Sequence, residues 1–337
     1  MAGAFRVTRD ARDSPRRWIP TSGAAARRVL AGLWILDGVL QLLPRMYTMF
    51  MVQSVLRPPT IGEPAWLAHL TQAILVVGSE HLVASNLALT VIQVGLGLVL
   101  LLRGRDHTWP HWLSLIWCAG VWVFGEAFGG LLSGQASLVT GSPGSVALYA
   151  VLTWAAWPLR RPGDLAGRRR VVTAALAATW SLGAALQTFP VFFTPSGLSQ
   201  LLLGNVNSYQ PTWVNALMRW GAAPLAADPL AANVLLIAAM ALIAGGIWVG
   251  GRPRRVALLA SMVFAALLWV FGQAFGMLPM AMTTDPNTAP LLVALALYAW
   301  PSTGDAQACG GAGSSVASVD GCGAGAGTPR RGARRRR

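Results

Sequence analysis

Long apolar runs alternate with short polar segments along most of this chain. Two of the runs, Val83 to Leu102 and Val256 to Met277, approach or reach the length that an α-helix needs to cross about 30 Å of hydrocarbon. The pattern predicts an all-α integral membrane protein with eight transmembrane helices. The apolar runs lie roughly at residues 29–46, 83–102, 109–132, 144–157, 171–189, 231–249, 256–278 and 289–300, and those at 144–157 and 289–300 are short for a crossing.

The apolar runs belong to an internal repeat. Residues 34–48 match residues 180–194 at a spacing of 146 residues, and residues 122–129 (WVFGEAFG) match residues 269–276 (WVFGQAFG) at a spacing of 147. Self-similarity at a nearly constant spacing is typical of a duplicated structural unit. Each copy has an even number of predicted helices, so we expect two parallel tandem four-helix bundles related by an axis along the membrane normal.

This repeat divides the chain into five predicted parts. Within each copy the first outside connection is long, at about residues 47–82 and 195–230, and is expected to hold a short interfacial helix. The final segment is rich in Gly, Ala, Ser and Arg, which is typical of disorder. The parts are a basic N-terminal segment (1–28), the first four-helix unit (29–158), a basic linker (159–170), the second four-helix unit (171–301) and a cytoplasmic tail (302–337).

The distribution of charge supports the membrane interpretation. The chain is 54% hydrophobic and only 11% charged, and all 26 basic residues are arginine. If the amino end is cytoplasmic, 23 of the 26 arginines fall in cytoplasmic segments. This bias follows the positive-inside rule, so we expect a multi-pass protein of the cell membrane with both termini in the cytoplasm. The net charge of +14 therefore indicates topology and anionic lipid, and we expect no nucleic-acid partner.

A few polar residues lie inside the apolar runs, where burial of amide and carboxyl groups is costly. With a rise of about 1.5 Å per residue, Gln41, Asn86 and Glu126 fall about 20 to 24 Å from the cytoplasmic side, at one level in the outer leaflet. Asp37 lies about one turn deeper than Gln41. The candidate intramembrane polar site consists of Asp37, Gln41, Asn86 and Glu126, with Gln187, Asn233 and Gln273 at the same level in the second copy.

Two interpretations of these residues stay open. In the structural one, the amides form interhelical hydrogen bonds, and Gly125-x-x-x-Gly129 allows helix backbones to approach closely. In the functional one, Asp37 and Glu126 belong to a proton path or to a pocket for a polar headgroup. Both acids occur only in the first copy, because the second has Gly183 and Gln273 at the corresponding positions. The sequence predicts no metal site, and the three cysteines are too scattered for a disulfide framework.

The motifs Leu-Asp37-Gly-x-x-Gln41-x-x-Pro44 and Phe-Gly-Glu126-Ala-Phe-Gly resemble those of uncharacterised bacterial membrane proteins related to the DoxX/DoxD-like group. The resemblance covers about residues 27–301 and implies a four-helix membrane unit in each copy. Some members of that group are linked to quinone-coupled sulfur oxidation or to thiol redox stress. The resemblance therefore implies quinone as one candidate ligand, and it supplies no catalytic residues.

These observations leave three hypotheses for function, and neither a cofactor nor an enzymatic reaction follows from the sequence. The first is a non-enzymatic helper subunit or small-solute binding protein with a polar pocket toward the outer leaflet. The second is a quinone-linked oxidoreductase component in which Glu126 and Asp37 handle protons. The third is a small-molecule transporter, favoured by the duplication but not by any evident break in the predicted helices. Expected partners are the lipid bilayer, a quinone or small apolar ligand, and membrane or cytoplasmic proteins.

Overall fold

Every regular element in the described part of the chain is a helix. The structure is a computed structural model that describes residues 23–58, 61–159 and 164–301. Most of the predicted N-terminal segment and the predicted tail at 302–337 lie outside these residues. Three helices, Leu82–Arg103, Pro229–Val249 and Gly251–Gly272, are long and apolar enough to cross a membrane.

The helices fall into a first half, residues 23–159, and a second half, residues 164–301. The first half contains α1 (Gly23–Leu40), α2 (Met49–Met51), α3 (Ala65–Glu80), α4 (Leu82–Arg103), α5 (Trp109–Gly120) and α6 (Ser145–Ala156). The second half contains α7 (Asp164–Leu186), α8 (Pro195–Leu203), α9 (Thr212–Ala227), α10 (Pro229–Val249), α11 (Gly251–Leu267) and α12 (Thr288–Ala299).

The third apolar run of the first half is not one continuous helix. After α5 the chain makes a single π turn at Val121–Gly125 and then a tight 3-10 turn at Ala127–Gly130. Within that turn Phe128 and Gly129 have φ values of 57° and 66°. A side chain on Gly129 would place its Cβ 2.1 Å from the Pro143 carbonyl, so only glycine permits this approach.

The third apolar run of the second half breaks in the same way. After α11 come a π turn at Leu268–Gly272 and a 3-10 turn at Ala274–Met280. The Trp269 indole donates to the Pro286 carbonyl at 3.0 Å, as the Trp122 indole donates to the Pro143 carbonyl at 2.7 Å. The indole nitrogens therefore fix each break against the segment that precedes the next helix.

Packing within each half is centred on its first long helix. In the first half α1 packs against α4 and α6, and in the second half α7 packs against α10 and α12. Each central helix buries a tryptophan, and both indoles donate to a serine hydroxyl: Trp34 to Ser114 Oγ at 3.0 Å and Trp180 to Ser261 Oγ at 2.8 Å. The halves meet where α6 contacts α7 and α12.

The outward faces of the long helices are apolar. On α4 Val91 and Leu102 are 71% and 75% exposed, and on α10 Leu242 and Val249 are 75% and 77% exposed. Exposing side chains of this size to water is unfavourable, by about 25 cal/mol for each Å² of apolar surface. Hydrocarbon is the solvent that suits these faces.

The two long connections, at 47–82 and 195–230, contain more helix than the sequence predicted. The connection at 47–82 includes the 16-residue α3, and the connection at 195–230 includes both α8 and α9. At the other end of the halves, α7 begins at Asp164, within the segment predicted as a linker.

Gly129→Ala is expected to destabilise the protein strongly, because it adds a Cβ at a positive φ and against the Pro143 carbonyl. We expect a loss of more than about 2 kcal/mol, measured as a lower thermal unfolding temperature of the detergent-solubilised protein. Gly120→Ala is the matched control, since Gly120 is helical and has nothing within 4 Å of its Cβ position. Equal unfolding temperatures for the two variants would contradict this account of the break.

Candidate functional site

A cavity of about 700 Å³ lies in the first half. Its walls come from α1 to α6, from the connections that follow α2 and α5, and from the second-half segment that precedes α12. Cavities of about 300 to 1,000 Å³ with mostly apolar walls and a few polar groups are typical of small-ligand sites. The polar lining includes several Ser, Thr and Asn residues and the larger side chains of Asp37, Gln41, Gln93, Glu126, Gln135, Tyr149 and Asp285.

Asp37 is fully buried on α1, with 1% of its surface exposed. Its Oδ1 atom has no hydrogen-bond partner within the described residues. The Tyr149 hydroxyl of α6 is near enough to interact electrostatically with the Asp37 carboxyl, but the two do not meet the geometry of a hydrogen bond. Asp37 and Tyr149 therefore bring two unsatisfied polar groups to the same side of the cavity.

Glu126 lies at the break after α5 and accepts two hydrogen bonds from Ser145. Its Oε1 atom accepts hydrogen bonds from the Ser145 backbone N–H at 3.1 Å and from the Ser145 hydroxyl at 2.8 Å. These bonds satisfy donors at the amino end of α6, where a helix leaves its first N–H groups free. The other oxygen, Oε2, is buried and has no partner among the described residues. One oxygen of this cavity-lining residue is therefore structural, and the other is not used by the described residues.

Gln41 and Asn86 are joined by a hydrogen bond through the backbone of Gln41. Asn86 Nδ2 donates to the Gln41 carbonyl at 2.6 Å, just beyond the end of α1. The Gln41 side chain lines the cavity, whereas Asn86 does not. Asn86 is therefore an interhelical hydrogen-bonding residue, as the structural interpretation expects.

The three second-half members of the predicted polar site, Gln187, Asn233 and Gln273, do not line this cavity. Asn233 Nδ2 donates to the Gln187 carbonyl at 2.8 Å, which parallels the bond of Asn86. Gln273 Nε2 donates to Thr288 Oγ1 at 2.8 Å, and Gln273 Oε1 accepts from the Ala289 N–H at 3.2 Å, which parallels the contact of Glu126 with Ser145. In the second half the amides thus satisfy helix ends.

A segment of the first half fills the corresponding space in the second half. Leu138, in the connection between α5 and α6, is fully buried. A Cβ on Gly183 would lie 2.6 Å from Leu138 Cδ2 and 3.0 Å from Met240 Sδ, so an aspartate like Asp37 has no room there. The neighbouring Ser137 hydroxyl donates to Gln187 Oε1 at 3.3 Å. The second half is therefore packed where the first half is open.

In the opposite direction, the connection before α12 packs into the first half. Met280 and Met282 form an apolar cluster with Met46 and Met51. The Arg45 guanidinium donates to the Met280 carbonyl at 2.7 Å. This packing brings the next residues of the connection to the cavity.

Asp285, in this connection, adds a third carboxyl group to the cavity wall. Its Oδ2 accepts from Thr284 Oγ1 at 2.9 Å and its Oδ1 from the Asn287 N–H at 2.7 Å. The hydrogen bonds fix the direction of this group.

The sequence did not single out four residues of the site, Gln93, Ser145, Tyr149 and Asp285. Gln93 and Ser145 lie within the apolar runs predicted at 83–102 and 144–157, whereas Asp285 lies outside the predicted helices, where the apolar pattern carries no information. Tyr149 could have been found by comparing the two copies, because aligning Trp157 with Trp300 places Leu292 at the corresponding position. At this position, a polar residue of one copy that aligns with an apolar residue of the other lines the cavity.

We find no significant match to this chain among protein-family models, curated proteins or solved structures. Relationship to the DoxX/DoxD-like group consequently stays a prediction from sequence.

Leu138→Ala is expected to destabilise the protein by about 2 to 5 kcal/mol, because it opens a cavity beside Gly183. The measurement is thermal or denaturant unfolding in detergent. Leu132→Ala is the control, since Leu132 lies in the same connection and is 49% exposed. It should change stability by no more than about 0.5 kcal/mol. A Leu138 variant as stable as the control would show that Leu138 does not fill the second half.

Proposed function

We propose that this chain is a multi-pass membrane protein that binds a small solute in the first-half cavity without converting it chemically. The observation that carries the proposal is the cavity of about 700 Å³ with buried polar atoms that lack partners in the described residues. Buried polar groups are almost always hydrogen-bonded, so unsatisfied atoms grouped on one cavity call for a ligand or bound water. Those atoms are Asp37 Oδ1, Gln41 Oε1, Gln93 Oε1, Trp117 Nε1, Glu126 Oε2 and Tyr149 OH.

The membrane arrangement in this proposal is eight crossings in two tandem four-helix units, with both termini in the cytoplasm. Its support comes from the arginine distribution and from contacts that recur between the halves. Trp34 with Ser114 corresponds to Trp180 with Ser261, and Asn86 with Gln41 corresponds to Asn233 with Gln187. The fourth helix of each unit, at 12 residues, spans only about 18 Å, so the preceding connection must complete each crossing.

In this arrangement the cavity lies toward the outer leaflet. Its rim includes the exposed residues Pro58, Ile74 and Phe124, which belong to the outer connection and to the broken third helix. A solute can reach Asp37 from that side without passing the arginine-rich cytoplasmic segments.

A second candidate function is transport, and one observation favours it. Transporters often build their binding sites from broken membrane helices. The third apolar run of the first half, which begins with α5, breaks at Glu126, on the cavity wall. The sequence showed no such break. Uptake of the bound solute by proteoliposomes would establish transport, and binding without uptake would exclude it.

The binding proposal is tested by native mass spectrometry of gently extracted protein. We expect the wild type to retain a small non-lipid ligand at one per chain. Gly120→Phe should remove it, because Gly120 lines the cavity and has nothing within 4 Å of its Cβ position. A retained quinone would instead support the oxidoreductase alternative.

The control for that experiment is Gly95→Phe. Gly95 also has nothing within 4 Å of its Cβ position, but it is not a cavity residue. It should keep the ligand. Loss of ligand from both variants, or from neither, would contradict binding in this cavity.

The topology is tested by cysteine labelling in a background in which Cys118, Cys309 and Cys322 are replaced by alanine. Glu80→Cys should react with a membrane-impermeant maleimide on intact cells. Arg105→Cys and Arg252→Cys should react only after permeabilisation, because Arg105 precedes α5 and Arg252 lies in the first turn of α11, both on the predicted cytoplasmic side. Labelling of all three from one side would overturn the eight-crossing arrangement.

A further inference from the structure

We propose that the solute is a small organic cation, an ammonium group carrying an apolar or aromatic substituent. This inference rests on the proposed binding function and adds the chemical class of the ligand. It follows from the charge, the unsatisfied atoms and the aromatic lining of the first-half cavity.

The charge of the cavity wall is entirely acidic. Asp37, Glu126 and Asp285 come from three separate segments, and among the described residues that line the cavity there is no Arg, Lys or His. The nearby Arg45 is bound to the carbonyls of Tyr209 and Met280 and is not a lining residue. A ligand that neutralises this wall must bring positive charge.

The unsatisfied atoms show where that charge is needed. Asp37 and Tyr149 are 1% and 0% exposed, and both Asp37 Oδ1 and the Tyr149 hydroxyl lack partners in the described chain. Glu126 Oε2 is a third such atom. A buried carboxyl without a counterion is held in its neutral form, and a cationic ligand group between Asp37 and Glu126 would favour the ionised form and form charge-assisted contacts with it.

The rest of the lining suits the apolar part of such a ligand. Four aromatic residues, Trp34, Trp117, Phe124 and Tyr149, line the cavity. Aromatic faces attract cations, and the attraction is stronger where the contact is removed from water. The combination of carboxylates with aromatic rings is a known way to recognise substituted ammonium groups.

A metal ion fits the cavity less well than an organic cation. Within the described residues there is no group of three or more His, Cys, Asp or Glu side chains arranged to hold a metal ion. The three carboxyl groups are thus spread around the volume, as a ligand with several atoms requires.

The second half provides an internal comparison. It has Gly183, Gln273 and Leu292 where the first half has Asp37, Glu126 and Tyr149, and Leu138 fills the space. The same helical arrangement therefore forms without either acid. Acidic groups in the first half are not required by the fold, which points to the ligand as their reason.

The test measures equilibrium binding of benzyltrimethylammonium to the full chain in lipid nanodiscs. Its neutral isostere, neopentylbenzene, has the same shape without the charge, and benzenesulfonate supplies the opposite charge. We expect saturable binding of the cation at one per chain and binding at least about tenfold weaker for the other two probes, since tenfold corresponds to about 1.4 kcal/mol.

Two variants assign the binding to the acids. Asp37→Asn and Glu126→Gln should each weaken binding of the cation by about tenfold or more, because each removes one charge from the wall. Glu126→Gln reproduces the residue found at Gln273, and thermal unfolding of each variant checks that it is folded. Asp106→Asn is the control, since Asp106 is exposed on an inner turn, and it should bind as the wild type does.

The outcomes separate this inference from the proposed function. Equal binding of the cation and its neutral isostere, insensitive to Asp37→Asn and Glu126→Gln but abolished by Gly120→Phe, would overturn the cation and retain a solute-binding cavity. Preference for benzenesulfonate would also overturn it. No binding of any probe, together with no ligand retained by the native protein, would overturn both.

Discussion

Backbone hydrogen bonding at interrupted helices is the constraint on which this structure depends. A helix that ends or breaks away from water leaves up to four N–H or C=O groups without partners, and hydrocarbon offers none. Here side chains provide them. Asn86 and Asn233 serve the carbonyls at Gln41 and Gln187, just beyond α1 and α7. Glu126 and Gln273 serve the amino ends of α6 and α12. The polar residues inside the apolar runs thus supply hydrogen-bond partners to the backbone where helices are short or broken.

This constraint also explains what separates a structural residue from a candidate functional one. Gln273 uses both ends of its amide in hydrogen bonds to residues 288 and 289. Glu126 occupies the matching place but uses only one oxygen there, and its other oxygen is left without a partner in the described residues. An acid in place of the amide therefore leaves one oxygen that the helix end does not use. Asp37 adds a second such oxygen, because its Oδ1 atom has no partner in the described residues.

The sequence predicted the straight helices well, because a straight helix in an apolar medium requires an uninterrupted run of apolar residues. The run predicted at 83–102 became α4 (Leu82–Arg103), and the short run at 144–157 became α6 (Ser145–Ala156). The break after α5 was not predicted, since Phe128 has no local preference for its positive φ, which the contact of Gly129 with Pro143 imposes. Of the candidate site residues, Asp37, Gln41 and Glu126 share the cavity, but Asp285 could not be found, because it comes from a distant segment.

The connection between α5 and α6 and the connection before α12 each pack into the other half, which affects whether either half can fold alone. The first half contributes Leu138 to the interior of the second, and the second contributes Met280, Met282 and Asp285 to the first. A polypeptide truncated after α6 would lack a wall of its own cavity, and a polypeptide starting at α7 would carry a void beside Gly183. Fragment complementation, rather than independent folding, is the behaviour that such reciprocal exchange imposes. Neither half can diverge freely, since each is part of the other's interior.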